Sequence, residues 1–325
     1  IRRRKIIKLV TYVVAMVLAV IFVIRGVIFP IVSRIGGKST GESQQVQADA
    51  EQTADPTAAQ RQPLKGQSDL TKVSTLTPGW HEDDNGRWYQ NADGTYYTGG
   101  FAEIDGVTYA FDDNGYMQTG WVTKGSQDYY FNDDGSYNAS EKRPMIALTF
   151  DDGPGEYTSE LLDCLEENNA HATFFMLGQN VQNYQDDVKR MLELGCEIGN
   201  HSWDHANMYE LSLDSVVKEF NDADQALIDA CGQASTVVRA PYGNANEDIM
   251  NAVGKPFFMW SLDSLDWKYK DVDLDYKSIM QDNSSVIKDG TIILMHDIHE
   301  PSVKAAERII PELINMGFKL VTVSE

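Results

Sequence analysis

From Pro144 onward the chain alternates short apolar runs with helical stretches, and this alternation most restricts its fold. Seven runs read as buried strands: 145–150, 172–177, 196–199, 236–239, 256–260, 290–296 and 318–323. Helical stretches lie between them. One spans 213–230, with Ser212 as N-cap and Leu211 placed to staple against Val216, and another, 303–316, follows Ser302. Strands alternating with helices predict a parallel sheet covered by helices. Seven such strands predict an α/β fold, a distorted (β/α) barrel that is closed or nearly closed. Residues 144–325 are fewer than the roughly 250 of a usual eightfold barrel, so some units must be short or absent.

The charged and imidazole-bearing clusters follow these strands. Thr149-Phe150-Asp151-Asp152-Gly153-Pro154 ends the first, and Gly-Pro stops it. His201-Ser202-Trp203-Asp204-His205 follows the third, and Arg239-Ala240-Pro241-Tyr242 closes the fourth. Asp263-Ser264-Leu265-Asp266-Trp267 follows the fifth, and Leu294-Met295-His296 ends the sixth. In a parallel barrel all five fall on the C-terminal rim, where such folds place their chemistry. Asp151 and Asp152 repel one another and need a cation or an arginine to stay ionised together.

His201 and His205 stand four residues apart. On a helical turn that spacing puts both rings on one face, suited to one divalent metal. No Glu lies between them as in HExxH, so a base must come from elsewhere. Asp152 completes a His2Asp set and leaves a position open for water. That donor set favours Zn2+, with Co2+, Ni2+ or Mn2+ as substitutes. The same motifs also admit plainer readings, a solvated Asp-Asp turn and an exposed His pair. His81 reads as part of a repeat turn, His171 as part of a helix-to-strand loop, and His299 has no role beyond nearness to His296.

In these five motifs, residues 144–325 resemble the polysaccharide deacetylases, carbohydrate esterase family 4 or the NodB homology domain. The resemblance implies that Asp152, His201 and His205 bind the metal. It makes Asp151 the general base paired with Arg239, and His296 the general acid oriented by Asp266. It places the backbone N–H of Tyr242 at the oxyanion, and Trp267 and Leu294 around the acetyl methyl. The chemistry agrees with those roles. An amide carbonyl needs a strong Lewis acid, and a departing amine needs a proton.

The N-terminal part is organised differently. Residues 1–8 hold five basic residues, a short tail expected in the cytoplasm. Residues 9–32 are apolar apart from Arg25, long enough for the roughly 20 residues a bilayer requires. They predict a single-pass membrane anchor with the body outside the cell, a cleaved signal peptide being the rival. Residues 33–77 lack aromatics and any apolar period and read as a disordered stalk.

Residues 78–140 repeat. Trp80, Phe101 and Trp121 recur at steps of 21 and 20, as do Trp88, Tyr109 and Tyr129, and Gly94, Gly115 and Gly135. Each unit carries a polar turn, an aromatic pair and an Asp/Asn-Gly turn signal, which predicts β-hairpins stacked as a small solenoid. Gly120-Trp121 and Asp128-Tyr129-Tyr130-Phe131 resemble the choline-binding and glucan-binding repeats of bacterial surface proteins. That resemblance implies a cation–π cage for choline, with Trp80, Trp88, Tyr109, Trp121 and Tyr129 as candidates. The plainer reading is that these rings only glue hairpins together.

Formal net charge is −22, and the first 38 residues are purely basic, leaving 19 basic against 49 acidic residues in the remainder. So acidic a body excludes nucleic acid as a ligand. Cys164, Cys196 and Cys231 form no CxxC pair and read as free thiols.

These features together predict a metal-dependent N-deacetylase of a cell-surface glycan, N-acetylglucosamine of peptidoglycan foremost. The motifs fit chitin oligomers, poly-N-acetylglucosamine or acetylxylan equally well, and the anchor and repeats select the wall. A non-catalytic wall-binding adhesin is the rival class.

Overall fold

The structure, a computed structural model, describes residues 57–63 and 77–325. The segments expected as cytoplasmic tail (1–8) and membrane anchor (9–32), and most of the expected stalk, lie outside the described residues. Among the described residues no helix is long and apolar enough to cross a membrane.

Strands β1 (Gln60–Pro63), β2 (Gly79–Asp83), β3 (Gly86–Gln90) and β4 (Thr95–Thr98) form an antiparallel sheet in the order β1-β4-β3-β2. β1 corrects the expectation of a disordered stalk over its whole length. It pairs with β4 from Gln60–Thr98 to Pro63–Thr95, and Ala58 bridges Phe101. Backbone pairing to a strand edge needs no apolar pattern, so sequence periodicity could not show it. β5 (Gly100–Ile104), β6 (Val107–Phe111) and β7 (Met117–Gln118) make a second sheet, and β8 (Gly120–Lys124) with β9 (Gln127–Phe131) a hairpin.

The repeat period is a turn period. The N–H groups of Gly94, Gly115 and Gly135 donate to the carbonyls of Asn91, Asp112 and Asn132 at 2.9, 3.0 and 2.8 Å. These glycines sit at φ 81, 94 and 86°, where L side chains are disfavoured. His81 lies inside β2 rather than in a turn, its ring stacked on Trp88 at 4.5 Å.

The C-terminal part is built on β10 (Met145–Asp151), β11 (Thr173–Met176), β12 (Glu197–Asn200), β13 (Val237–Val238), β14 (Leu262–Asp263), β15 (Thr291–His296) and β16 (Lys319–Val321). All pairings are parallel, in the order β13-β12-β11-β10-β15-β14, with β16 also on β10. β10 is buried on both faces after its first residue, as a parallel strand covered by helices must be. Ile146, Leu148 and Phe150 pack there with Leu161, Leu165, Ile293, Ile309 and Leu313.

Two boundaries differ from expectation. The run 256–260 is not a strand. Phe258 N–H donates to Val238 and Val238 N–H to Pro256, both at 2.9 Å, and Ser261 N–H then reaches Ile292 at 2.9 Å. The segment therefore runs from β13, at one edge of the sheet, to the start of β14 at the other, meeting β13 at a single bridge, Val238–Phe257. The last helix runs Glu300–Asn315 with His299 at its N-cap, and Ser302 is buried in its first turn. Pro301 suits that first turn, where its missing N–H costs nothing. Ser212 caps Leu213–Cys231 as expected, accepting from Ser215 N–H.

The last hairpin is fastened to the α/β part through Asp128. Its carboxylate accepts from Thr123 Oγ1 at 2.6 Å and meets Arg143 Nη1 at 3.0 Å and Lys319 Nζ at 3.2 Å. Arg143 also donates to the carbonyls of Gly317 and Phe318, each at 3.3 Å. Asp128→Ala strands two partly buried cations and is expected to cost about 1–3 kcal/mol of stability. Chemical denaturation tests this, and an unchanged midpoint and slope would show that the junction carries no stabilising load.

Candidate active site

Strand register sets the first pair of groups. Asp151 of β10 lies opposite His296 of β15, and Thr149 opposite Leu294. Side chains alternate along a strand, so Leu294 and His296 share one face. Asp151 is buried, and its Oδ1 accepts from Arg239 Nη1 at 2.7 Å. The same nitrogen donates to Thr149 Oγ1 at 2.7 Å, and Arg239 Nε donates to the Phe258 carbonyl at 3.0 Å. Oδ2 of Asp151 is left facing the site, 3.7 Å from His201 Nε2. Burial raises the Asp151 carboxyl above its ordinary range, against the opposing pull of Arg239 and His296.

Asp152 turns out of the strand at φ 70°. Its Oδ1 is buried without a hydrogen-bond partner, 3.6 Å from His201 Nε2 and 3.4 Å from His205 Nε2. His201 Nδ1 is 2.7 Å from the Arg239 carbonyl. A carbonyl only accepts, so Nδ1 carries the hydrogen and Nε2 presents a lone pair. Burial pushes the His201 pKa down to about 3, which keeps the ring neutral.

The histidine pair is not helical, contrary to the expectation from its spacing. Residues 201–205 form a loop in which Ser202 and His205 adopt φ 74 and 67°. That loop is fixed by Ser202 N–H donating to Asn200 Oδ1 at 2.8 Å and by His205 N–H donating to Ser202 Oγ at 3.1 Å. Two left-handed residues bring the rings together, with centroids 5.1 Å apart.

His296 stands across from this group. Its Nδ1 is 2.7 Å from Asp266 Oδ1, and its backbone N–H donates to Asp266 Oδ2 at 2.7 Å. Nε2 faces Asp152 Oδ2 at 3.9 Å. Burial alone would lower the His296 pKa, but the hydrogen bond and charge of Asp266, with Asp151 and Asp152 nearby, raise it to about 9. Asp266 is itself buried, which opposes ionisation, yet the bonds from His296 and Ser264 hold its carboxyl below the usual range.

Tyr242 lies in a 3-10 turn, Pro241–Gly243, at φ 59°, 64% exposed, with its ring edge-on to His205 at 4.5 Å. Trp267 is half-exposed beside Asp266, and Leu294 is buried. Asp151, Asp152, His201, His205, Arg239, Asp266 and His296 thus converge, with Tyr242 against His205.

The donor set fits a divalent metal. Asp152, His201 and His205 offer ligand atoms all within 4.8 Å of one another. An orphaned buried carboxylate oxygen between two imidazole nitrogens needs a cation, and three protein ligands leave a coordination position open.

Several residues escaped sequence reasoning. Asn180 Nδ2 holds the Asp152 carbonyl at 2.9 Å. Phe175 and Trp260 flank the Arg239 guanidinium at 4.1 and 5.6 Å. Asp297 is fully buried, and burial raises its pKa to about 7. Its place directly after His296 was the one available signal, and an isolated carboxylate carries little weight in a sequence.

The repeat aromatics do not share one cage. Trp80 meets Tyr109 at 4.8 Å, but the Arg87 guanidinium already lies 5.0 Å from the Trp80 ring. Trp88 stacks on His81, Trp121 meets Tyr130 at 5.0 Å beneath Arg143, and Tyr129 meets Phe101 at 4.7 Å.

Comparison with known proteins places these geometries in context. The family model described as polysaccharide deacetylase matches residues 138–256. The peptidoglycan-N-acetylmuramic acid deacetylase PdaC of Bacillus subtilis is 41% identical over 182 residues, 56% of this chain but 38% of the relative's length. A peptidoglycan-N-acetylglucosamine deacetylase of Bacillus cereus is 33% identical over 220 residues, 65% of this chain and 76% of the relative. The solved structure of Bacillus subtilis PdaC superposes with a TM-score of 0.54 at 39% identity, covering 56% of this chain and 89% of that one.

The purified chain is expected to bind about one zinc ion, as a mononuclear site would. Asp152→Ala, His201→Ala and His205→Ala should each lower the bound zinc measured by elemental analysis. Unchanged zinc content in all three variants would remove the metal centre.

Proposed function

The chain belongs to the polysaccharide deacetylase family, and from that membership we propose that it hydrolyses N-acetyl amides of cell-wall glycan, N-acetylglucosamine of peptidoglycan first. The observation that carries this reading is a pair of groups with opposed proton demands, Asp151 and His296, in register on adjacent strands beside the Asp152, His201 and His205 cluster.

A divalent cation, most simply Zn2+, bound at that cluster supplies a Lewis acid for the acetyl carbonyl and a positive charge favouring ionised Asp151. Asp151 has Oδ1 committed to Arg239, so Oδ2 accepts the proton of the attacking water. The new C–O bond forms as that proton leaves. His296 has Nδ1 committed to Asp266, so Nε2 gives its proton to the departing nitrogen as the C–N bond breaks. The products are acetate and the free amine. Tyr242 N–H sits in the first turn of its 3-10 segment, without an intrahelical acceptor, and is assigned to the developing oxyanion. Leu294 and Trp267 are assigned to the acetyl methyl.

The remaining regions are assigned to placement at the wall: residues 9–32 as membrane anchor, the stalk outside the segment paired to β4 as tether, and 78–140 as a wall-binding solenoid. Choline-bearing polymer and glucan are its two candidate ligands. The Arg87 guanidinium over Trp80 is a cation that choline would have to displace. A second reading of the substrate, N-acetylmuramic acid, is favoured by the 41% identical relative, a peptidoglycan-N-acetylmuramic acid deacetylase. Mass spectrometry of muropeptides and chitin oligomers incubated with the chain decides among these. Loss of acetyl from the glucosamine unit is expected; loss from the muramic unit alone would transfer the assignment, and no loss from any of them would sink the deacetylase reading.

The pH dependence of kcat/KM is expected to be bell-shaped. His296 acts protonated, so activity should fall as pH rises through about 9. Asp151 acts ionised, so activity should fall on the acid side as that carboxyl takes up a proton, which burial favours and the bound cation opposes. Asp266→Asn removes the charge that raises His296, so the alkaline limb should move down toward the usual histidine value of about 6.5. An alkaline limb unmoved by that change would exclude His296 as the acid.

A further inference from the structure

The loop 152–155 that carries Asp152 is pinned from two sides. On one side, Asn180 Nδ2 donates to the Asp152 carbonyl and Leu177 N–H to the Gly153 carbonyl, both at 2.9 Å. On the other lies Asp297, wholly buried one residue beyond His296. Its Oδ2 accepts from Thr158 Oγ1 at 2.5 Å, and Thr158 Oγ1 accepts from Gly155 N–H at 2.8 Å. Both carboxylate oxygens press on Gly153, where any Cβ would clash with them. Oδ1 accepts no hydrogen bond.

A carboxyl group is costly to bury, and this one makes a single side-chain hydrogen bond in return. What it does achieve is contact with both ends of the short loop, directly at Gly153 and through Thr158 at Gly155. Asp152 needs such support, because its φ of 70° is a conformation a non-glycine residue adopts only when its surroundings dictate it. Asp297 touches none of the atoms offered to the metal.

We propose that Asp297 is a positioning residue. Through Gly153 and Thr158 it holds the loop in the conformation that aims Asp152 Oδ1 between His201 and His205. This rests on the reading of those three residues as the metal site. It also couples the opening motif to the last one: glycine follows the two aspartates because a carboxylate from the neighbouring strand end fills the space of its side chain.

The test is zinc affinity of the full chain, measured by competition with a chromophoric chelator beside thermal unfolding. Asp297→Leu removes the acceptor and should weaken zinc binding about 10–100-fold, the scale for supporting residues around a metal. Thr158→Val breaks the same link from the other end and should act in the same direction; it carries the test if Asp297→Leu fails to fold. Thr158→Ser and Asp297→Asn, which keep the hydroxyl and an acceptor, should remain within about threefold of the parent. Met191→Ala, a fully buried core change, should lower the unfolding temperature and leave zinc affinity alone. Parent-like affinity in folded Asp297→Leu or in Thr158→Val would overturn the proposal. So would an equal loss in Met191→Ala, which would make the effect one of stability alone. A parent chain that binds no zinc would instead overturn the metal site itself, and this inference with it.

Discussion

The buried contact between Arg239 and Asp151 is the interaction on which the rest of the site depends. One guanidinium bonds Thr149 and Asp151 of β10 and the Phe258 carbonyl of the segment leading into β14. The backbone of the same residue bonds two further partners: its N–H donates to the Asn200 carbonyl, and its carbonyl accepts from His201. Arg239 is itself fully buried, its guanidinium over the rings of Phe175 and Trp260. A charge so placed is tolerable only when paired, and the pairing places Asp151 and His201 relative to each other.

A common rule governs the convergent groups. Each commits one polar atom to the scaffold and presents the other to the site. Asp151 gives Oδ1 to Arg239, His201 gives Nδ1 to a carbonyl, and His296 gives Nδ1 to Asp266. The committed atom fixes orientation and tautomer; the presented imidazole nitrogens face the Asp152 carboxylate, and the presented oxygen of Asp151 faces His201. The chemistry then follows from contrast. His201 is kept neutral by burial, with only an uncharged carbonyl at its Nδ1, while His296, nearly as enclosed, is driven toward the protonated form because its Nδ1 is hydrogen-bonded to the Asp266 carboxylate.

The repeats use aromatic surface in another way. Their rings meet edge-on, tilted or stacked within small clusters, and arginines from the chain lie over Tyr97, Trp80 and Trp121. Arg143 serves twice, over Trp121 and as partner to Asp128, so the last hairpin is joined to the α/β part by charge and by ring contact. Phe101 stands where the other units carry tryptophan, and it packs against Phe131 and Tyr129 inside the next hairpin.

By itself, the sequence determined what depends on local pattern. Apolar runs marked six of the seven parallel strands within a residue or two, because strands buried on both faces have no polar alternation to obscure them. The Asp/Asn-Gly steps marked the repeat turns, and the five motifs named the residues that converge. Only the tertiary structure decided what depends on partners distant in the chain. The run 256–260 has a strand's composition but meets β13 at a single bridge, Val238–Phe257. β1 is held by backbone pairing to β4 and by Arg61, whose guanidinium lies over Tyr97 and meets Asp93. The His201–His205 spacing is realised by two left-handed residues in a loop rather than by a helix, since Asn200 and Ser202 satisfy the turn. Asp297, Asn180 and Phe175 matter through contacts with Gly153, Asp152 and Arg239 that no local pattern encodes. A buried polar side chain gets its role from what it touches, and that is known only once the chain has closed around it.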